Sequence, residues 1–269
     1  MPPAKKSNRQ ERSALSSAFT DGVVTALFVF VSSQFDEVAA ILAPYMPYLP
    51  ELAVGIAVLI AGLALFDPVS SWVGGHGALY NPVHNVAFAA AGRGPLSKHI
   101  SRMVGQAIGG VVGAAAALRA IPPAWQSKFP NFGKGLRPGV SLGSGMACEA
   151  TLGFLLNLCV LWSIGQKNKY IAFWSPLVAT IFLVVAGANL TGPSMNPVVS
   201  FSWFFHLRGH ALLEHLLVFW VAPLAGALAA GLVWWAAMRP ATRRRASRAR
   251  KPSAPKKTQK AAAASKKTD

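Results

Sequence analysis

The sequence predicts an all-α integral membrane protein in which six transmembrane helices and two opposed half-helices form an inverted repeat. Composition is the first observation: 53% of the 269 residues are hydrophobic and only 13% are charged, against about a quarter charged in an average soluble domain. The second is that apolar residues gather in six long segments. The third is the dipeptide Asn-Pro, which occurs twice inside apolar stretches, at Asn81-Pro82 and at Asn196-Pro197.

Each Asn-Pro pair predicts the start of a short helix. Asn is a favoured N-cap, and Pro suits the first helical position because its missing N–H would have no partner there. The run from Asn81 to Ala91 would be ~16 Å long, about half of the ~30 Å hydrocarbon core; the second run ends near Leu207. Asn-Pro is also a common turn dipeptide, so one copy would mean little. Two copies in corresponding places favour paired half-helices at membrane depth.

The apolar segments predict six spans, at about residues 18–35, 52–73, 96–120, 141–165, 170–188 and 211–238. Asp67-Pro68 is expected to bend the second span or to end it early, because proline cannot donate within a helix. The third span carries small residues at spacings that allow close helix packing, most clearly Gly109 and Gly113.

The two halves of the chain repeat. Asp21 lies near the start of the first span and Glu149 near the start of the fourth, each ahead of its own Asn-Pro pair. Three spans per half make the second copy enter the membrane from the opposite side, so a site is expected at the midplane where the broken helices meet. Each intramembrane acid is expected to brace the adjoining half-helix by accepting hydrogen bonds.

The formal net charge of +17 is concentrated at the two ends, with +3 in residues 1–14 and +11 in residues 239–269. We therefore expect a basic N-terminal segment at 1–14, a membrane domain at 15–238 with half-repeats at 18–120 and 141–238, and a disordered basic tail at 239–269. Since six spans put both ends on one side, the positive-inside rule predicts that both termini are cytosolic. On an apolar body this charge does not indicate a nucleic-acid partner.

The half-helices indicate a mechanism. Each N-terminus carries roughly half a positive charge, and each Asn can cap its helix with its side-chain oxygen while its amide donors face a pore. Opposed positive dipoles repel cations and protons, whereas a neutral molecule with an acceptor oxygen, such as water, can pass. The residues indicate no catalytic group, cofactor or metal site: the histidines lack ligand spacing, and Cys148 and Cys159 are expected to be small core residues.

These motifs resemble those of the aquaporins, the major intrinsic protein family, from about residue 19 to residue 238, and most of all those of the plant small basic intrinsic proteins. The resemblance rests on three stretches: Phe182-Leu183-Val184-Val185-Ala186-Gly187, Thr191-Gly192-Pro193-Ser194-Met195-Asn196-Pro197 and Gln106-Ala107-Ile108-Gly109-Gly110. It implies an aquaporin-like fold, a passive channel for water and other small neutral solutes, and a homotetramer in the bilayer with one pore per subunit.

The chain departs from the family pattern at its motifs. Val83 and Val198 stand where each Asn-Pro box usually has Ala, and Val199 stands where most aquaporins have Arg. The resemblance places the narrow filter at Val184, Pro193, Val199 and one second-span residue between Ile60 and Ala64. Such a filter without Arg is expected to be apolar.

Two other functions fit the same pattern. A secondary transporter also uses inverted repeats and broken helices, but coupled transport usually needs titratable groups at the midplane. A non-conducting scaffold would fit the valines at the boxes and filter. The chain ends with Lys266 and Lys267 at the spacing of a dilysine signal, which favours the endoplasmic reticulum membrane; a basic tail can also simply bind anionic lipid.

Overall fold

The computed structural model describes residues 13–72, 77–193 and 195–249, and over these ranges the regular structure is helical, with no β-strand. The α-helices are α1 (Ala14–Ser32), α2 (Phe35–Leu42), α3 (Glu51–Trp72), α4 (Pro82–Ala90), α5 (Leu96–Ala120), α6 (Phe129–Phe132), α7 (Leu142–Ser163), α8 (Lys169–Gly187), α9 (Pro197–Leu207), α10 (Leu212–Leu216) and α11 (Ala222–Ala249). Short 3₁₀ turns lie at Ala43–Tyr45 and Pro123–Trp125, and a π-helical turn at Leu217–Val221 joins α10 to α11.

Six helical segments in the described ranges are long and apolar enough to cross a membrane, which confirms the predicted fold class. They are Ala14–Tyr45, Glu51–Trp72, Leu96–Ala120, Leu142–Ser163, Lys169–Gly187 and Leu212–Met238. The half-helices are α4, with nine residues, and α9, with 11. The protein is therefore a multi-pass integral membrane protein with two additional helices too short to span.

The first two spans differ from their predicted form. The first extends beyond residue 35, because α2 follows α1 after a short break and places Asp36 and Glu37 in its own first turn, where acidic side chains favour the helix dipole. Asp67-Pro68 does not end the second span early, since α3 continues through Pro68 to Trp72. Only the last turn of α3 lies beyond the proline, and there the Ser70 hydroxyl donates to the Asp67 carbonyl at 2.8 Å.

The glycines of α5 pack against α1. A Cβ on Gly105, Gly109 or Gly113 would overlap the backbone carbonyl of Ala18, Gly22 or Ala26, respectively. Small residues allow helices to approach this closely. The glycine stripe predicted for close packing is thus used within the subunit.

The second half repeats this close crossing between α7 and α11. A Cβ on Gly153 would lie 2.8 Å from the Pro223 carbonyl oxygen, and a Cβ on Gly226 would overlap the Ala150 carbonyl. Both halves therefore hold their first and third spans together by backbone contact, as an inverted repeat requires.

The chain divides into two compact units, residues 1–235 and 236–269. The tail predicted to be disordered from residue 239 is helical as far as Ala249, so that prediction was wrong for residues 239–249, which lie beyond the apolar span but are rich in Arg and Ala, two strong helix formers. Residues 1–12 and 250–269, which include Lys266 and Lys267, lie outside the described residues.

Candidate functional site

The two half-helices begin with the same cap. The Asn81 side-chain oxygen accepts from the Val83 amide at 3.1 Å, and the Asn196 oxygen accepts from the Val198 amide at 3.2 Å. Proline occupies the first position of both helices. Each helix therefore starts where its local sequence requires.

The caps also join the half-helices to each other. Asn81 Nδ2 donates to the Met195 carbonyl at 3.0 Å, and Asn196 Nδ2 donates to the Tyr80 carbonyl at 3.0 Å. The sequence argument left the amide groups facing a pore, whereas one N–H of each is used in this reciprocal pair. The N-termini of α4 and α9 therefore meet.

Tyr80 and Met195, which sequence reasoning missed, supply the carbonyls of that pair. Both have positive φ, 36° and 45°, a region that non-glycine residues occupy at a cost of ~1–3 kcal/mol. Packing holds them there: Tyr80 lies against the rings of Phe28 and Phe66, with centroids 5.1 and 5.4 Å away, and Met195 is 2% exposed. The sequence signal that could have identified these two residues is that each lies directly before the asparagine of its Asn-Pro pair.

Asp21, which is fully buried, holds the segment that precedes Asn81. Its Oδ1 accepts from the amides of Leu79 at 2.7 Å and Tyr80 at 3.3 Å, and from Gln106 Nε2 at 3.0 Å. Its Oδ2 lies 2.7 Å from Arg102 Nε, and the Arg102 guanidinium also donates to the Gly77 carbonyl. One carboxylate thus orders the approach to the first half-helix.

Glu149 occupies the corresponding place in the second half and is also fully buried. Neither oxygen of its carboxylate has a partner within hydrogen-bond geometry among the described residues. The two acids match in position, but only Asp21 has an arginine partner there.

A row of buried polar side chains, also missed from sequence, supports α4. Asn85 Nδ2 donates to the Asn81 carbonyl at 3.3 Å and to Gln106 Oε1 at 3.2 Å. Asn85 Oδ1 lies 3.1 Å from His99 Nδ1. His84 Nδ1 lies 2.9 Å from Asn157 Oδ1. Because Gln106 also binds Asp21, the row links α4 to the first acid.

The expected filter residues Val184, Pro193 and Val199 line one cavity of about 650 Å³. Leu63 lines it too, and it is the residue of the 60–64 segment that does so. The cavity also reaches Met195, whose carbonyl accepts from Asn81. Leu63 is therefore the residue of that segment that shares a cavity with the three expected filter residues.

The box valines lie elsewhere. Val83 and Val198 are both 0% exposed, and Val83 packs with Ala87, Leu161 and Ala227. Both Asn-Pro boxes therefore place a buried β-branched residue at the start of the half-helix.

The cysteines and histidines do not form a ligand cluster. Cys148 and Cys159 are free thiols and half-buried, and Cys148, as expected of a small core residue, packs against the core cluster that contains Leu152 and Leu156. His210 Nδ1 lies 2.8 Å from the Gly133 carbonyl, and its Nε2 lies 3.2 Å from His215 Nδ1. Across the described ranges, no group of three or more His, Cys, Asp or Glu side chains is arranged to hold a metal.

Comparison with known proteins identifies the family. A family model described as "Major intrinsic protein" matches residues 8–234. The chain is 34% identical over 239 residues to "Aquaporin SIP1-1" of Oryza sativa subsp. japonica, covering 84% of this chain and 94% of the relative. It is 32% identical over 227 residues to "Aquaporin SIP1-2" of Zea mays, covering 82% and 91%.

A solved structure has the same fold. The X-ray structure of the aquaglyceroporin from Plasmodium falciparum matches with a TM-score of 0.57 and 17% identity, over 84% of this chain and 96% of that one. The predicted resemblance to the aquaporins and to their small basic intrinsic group is confirmed. The chain belongs to the major intrinsic protein family.

Proposed function

We propose that this protein is a passive transmembrane channel for water and other small neutral solutes. The observation that supports this most is the reciprocal pair of hydrogen bonds from Asn81 to Met195 and from Asn196 to Tyr80. This pair joins the N-termini of two half-length helices, one from each half of the inverted repeat. Relatives named aquaporins over most of the chain support the same function.

The joined helix ends would select for neutral solutes. Both helices direct the positive ends of their dipoles toward the contact, so a cation or a proton approaching it is repelled. A water molecule can accept a hydrogen bond there without carrying charge. Asn81, Pro82 and Val83, with Asn196, Pro197 and Val198, would form this central site.

The cavity beside it would form the filter. Its lining includes the apolar side chains or proline ring of Leu63, Val184, Pro193 and Val199. Because a solute binds these groups weakly, its size would decide whether it passes more than its hydrogen bonding would. Asp21 and Glu149 would brace the two loops that carry the asparagines, and Asp21 already accepts from the amides of Leu79 and Tyr80. We infer no enzymatic role.

Vesicle swelling with the purified protein tests the function. A channel gives osmotic water flux above that of protein-free vesicles, and the flux does not saturate with the gradient. Saturating flux that depends on a second gradient would indicate a secondary transporter, and a rate equal to that of bare lipid would indicate a non-conducting scaffold. Either of the last two results would overturn the proposal.

Assembly and location belong to the same proposal. We infer a channel domain at residues 15–238 that forms a homotetramer in the bilayer, with both basic termini cytosolic and the chain in the endoplasmic reticulum membrane. Since the α5 glycines are used against α1, subunits would meet through other helix faces. Cross-linking in membranes that yields only monomers would contradict the tetramer.

A further inference from the structure

The cavity that holds the expected filter residues also has charged lining. Its charged side chains are Asp36, from the first turn of α2, and Lys134 and Arg137, from the loop that joins the two halves. This loop lies between the end of α5 at Ala120 and the start of α7 at Leu142. The contacts of these two cations differ.

Arg137 is held on the end of α8. Its backbone N–H donates to the Leu190 carbonyl at 3.0 Å, and its Nε donates to the Ala188 carbonyl at 3.1 Å. Ala188 is the C-cap of α8, where carbonyls lack helical partners and the dipole is negative, so a cation is favoured. Ala188 also follows Val184 by one helical turn.

Gly192 makes room for the guanidinium. A Cβ on Gly192 would lie 2.6 Å from Arg137 Nη2 and 3.1 Å from its Cζ. Gly192 has φ of +56°, so both its backbone and this contact favour glycine. Pro193 follows directly and lines the cavity. The guanidinium is thus fixed beside two filter residues.

Lys134 is placed differently. Its Nζ donates to Asn131 Oδ1 at 2.8 Å, a contact within its own loop, and no described residue of α8 or of the Gly192 segment binds it. Arg137 is therefore the cation held against the filter, while Lys134 is a matched cation in the same loop and cavity lining.

We propose that Arg137 determines the selectivity of this cavity, and the proposal rests on the channel function above. Its fixed positive charge repels cations before they reach Val184, Pro193 and Val199, and low-dielectric walls strengthen that repulsion. The loop between the halves thus adds a second barrier to cations, outside both Asn-Pro boxes, to the one at the joined helix ends.

The test compares Arg137→Met with Lys134→Met in vesicles, using osmotic water flux and K⁺ leak on the same samples. Arg137→Met should keep water flux within about twofold of the parent and raise K⁺ leak by about tenfold. Lys134→Met should change neither. Parent-level K⁺ exclusion in a folded, water-conducting Arg137→Met protein would overturn the inference and leave the channel function intact, whereas a parent without water flux would overturn both.

Chemical restoration of the charge makes the test independent of folding defects. Arg137→Cys is made in a background with Cys148→Ala and Cys159→Ala, because both native thiols are free. A trimethylammonium-ethyl methanethiosulfonate should reduce the raised K⁺ leak by about tenfold, while the neutral methyl reagent should not. Equal effects of the two reagents, or no effect of either, would show that the charge at this position does not control selectivity.

Discussion

Asp21 Oδ2 lies 2.7 Å from Arg102 Nε, while Glu149, at the matching place in the second half, has no cationic partner among the residues described. The two halves therefore place an acidic residue at equivalent positions, but only the first half pairs that residue with a cation. This difference predicts that the two acids tolerate neutralisation unequally.

Asp21→Asn should destabilise the protein by ~3–5 kcal/mol, because removing one partner leaves a buried charge uncompensated. Glu149→Gln should cost much less, since it leaves no cation without a partner. Thermal unfolding of the purified proteins measures both, and adding Arg102→Gln to Asp21→Asn should restore part of the loss. Equal destabilisation by the two single substitutions would contradict this account of the pair.

Asn81→Asp and Asn196→Asp each replace an amide donor with a carboxylate opposite a carbonyl oxygen. We expect water flux to fall by about tenfold, because an unmade buried bond costs ~1–3 kcal/mol, and cation exclusion to weaken. Osmotic shrinkage and K⁺ leak measure the two effects. The control is Asn168→Asp. The Asn168 side-chain oxygen caps α8 by accepting from the Tyr170 amide at 2.9 Å, away from the site. Parent-like behaviour of both site mutants would show that the joined caps do not form the conducting centre.

Val199→Arg should narrow the cavity that Val184 and Pro193 also line. We expect the flux of glycerol or urea to fall by at least about tenfold, with a smaller loss for water, because only the larger solutes need the removed space. Val199→Leu controls for bulk without charge. An unchanged solute profile in the arginine variant would place Val199 outside the constriction.

Gly109→Ala should destabilise the subunit by ~1–3 kcal/mol, because the added methyl group overlaps the Gly22 carbonyl and forces α1 and α5 apart. Gly55→Ala is the matched control: a Cβ there has no atom within 4 Å, and alanine favours a helix over glycine by ~1 kcal/mol. Thermal unfolding in detergent compares them. A Gly109→Ala protein as stable as the parent would rule out this close crossing.

Replacing Lys266 and Lys267 with Ser should release the protein from the endoplasmic reticulum if the pair is read as a retrieval signal. Only two of the twelve basic residues after position 238 are lost, so attraction to anionic lipid should barely change. Imaging of an N-terminally tagged chain follows the location. Reticular staining that persists in the double mutant would show that another feature retains it.

Features encoded by neighbouring residues could be predicted from the sequence. Apolar length alone predicts six spans, and the Asn-Pro pairs predict where α4 and α9 begin, because capping involves residues two apart. Pro68 shows the limit of such rules. A proline inside a helix removes one backbone hydrogen bond, yet α3 continues for another turn, and the local pattern does not say how much of the helix remains beyond it.

The tertiary structure decided what these elements contact. The Asn81 bond joins residues 114 apart and the Asn196 bond joins residues 116 apart, so neither exists until both halves have folded around each other. The glycine stripe of α5 could have met another subunit and instead meets α1. Arg137 stands in a loop without a motif, and only the fold places it beside Ala188 and Gly192. Apolar length and helix caps depend on adjacent residues, whereas a site shared by two inverted halves depends on how distant backbones pack.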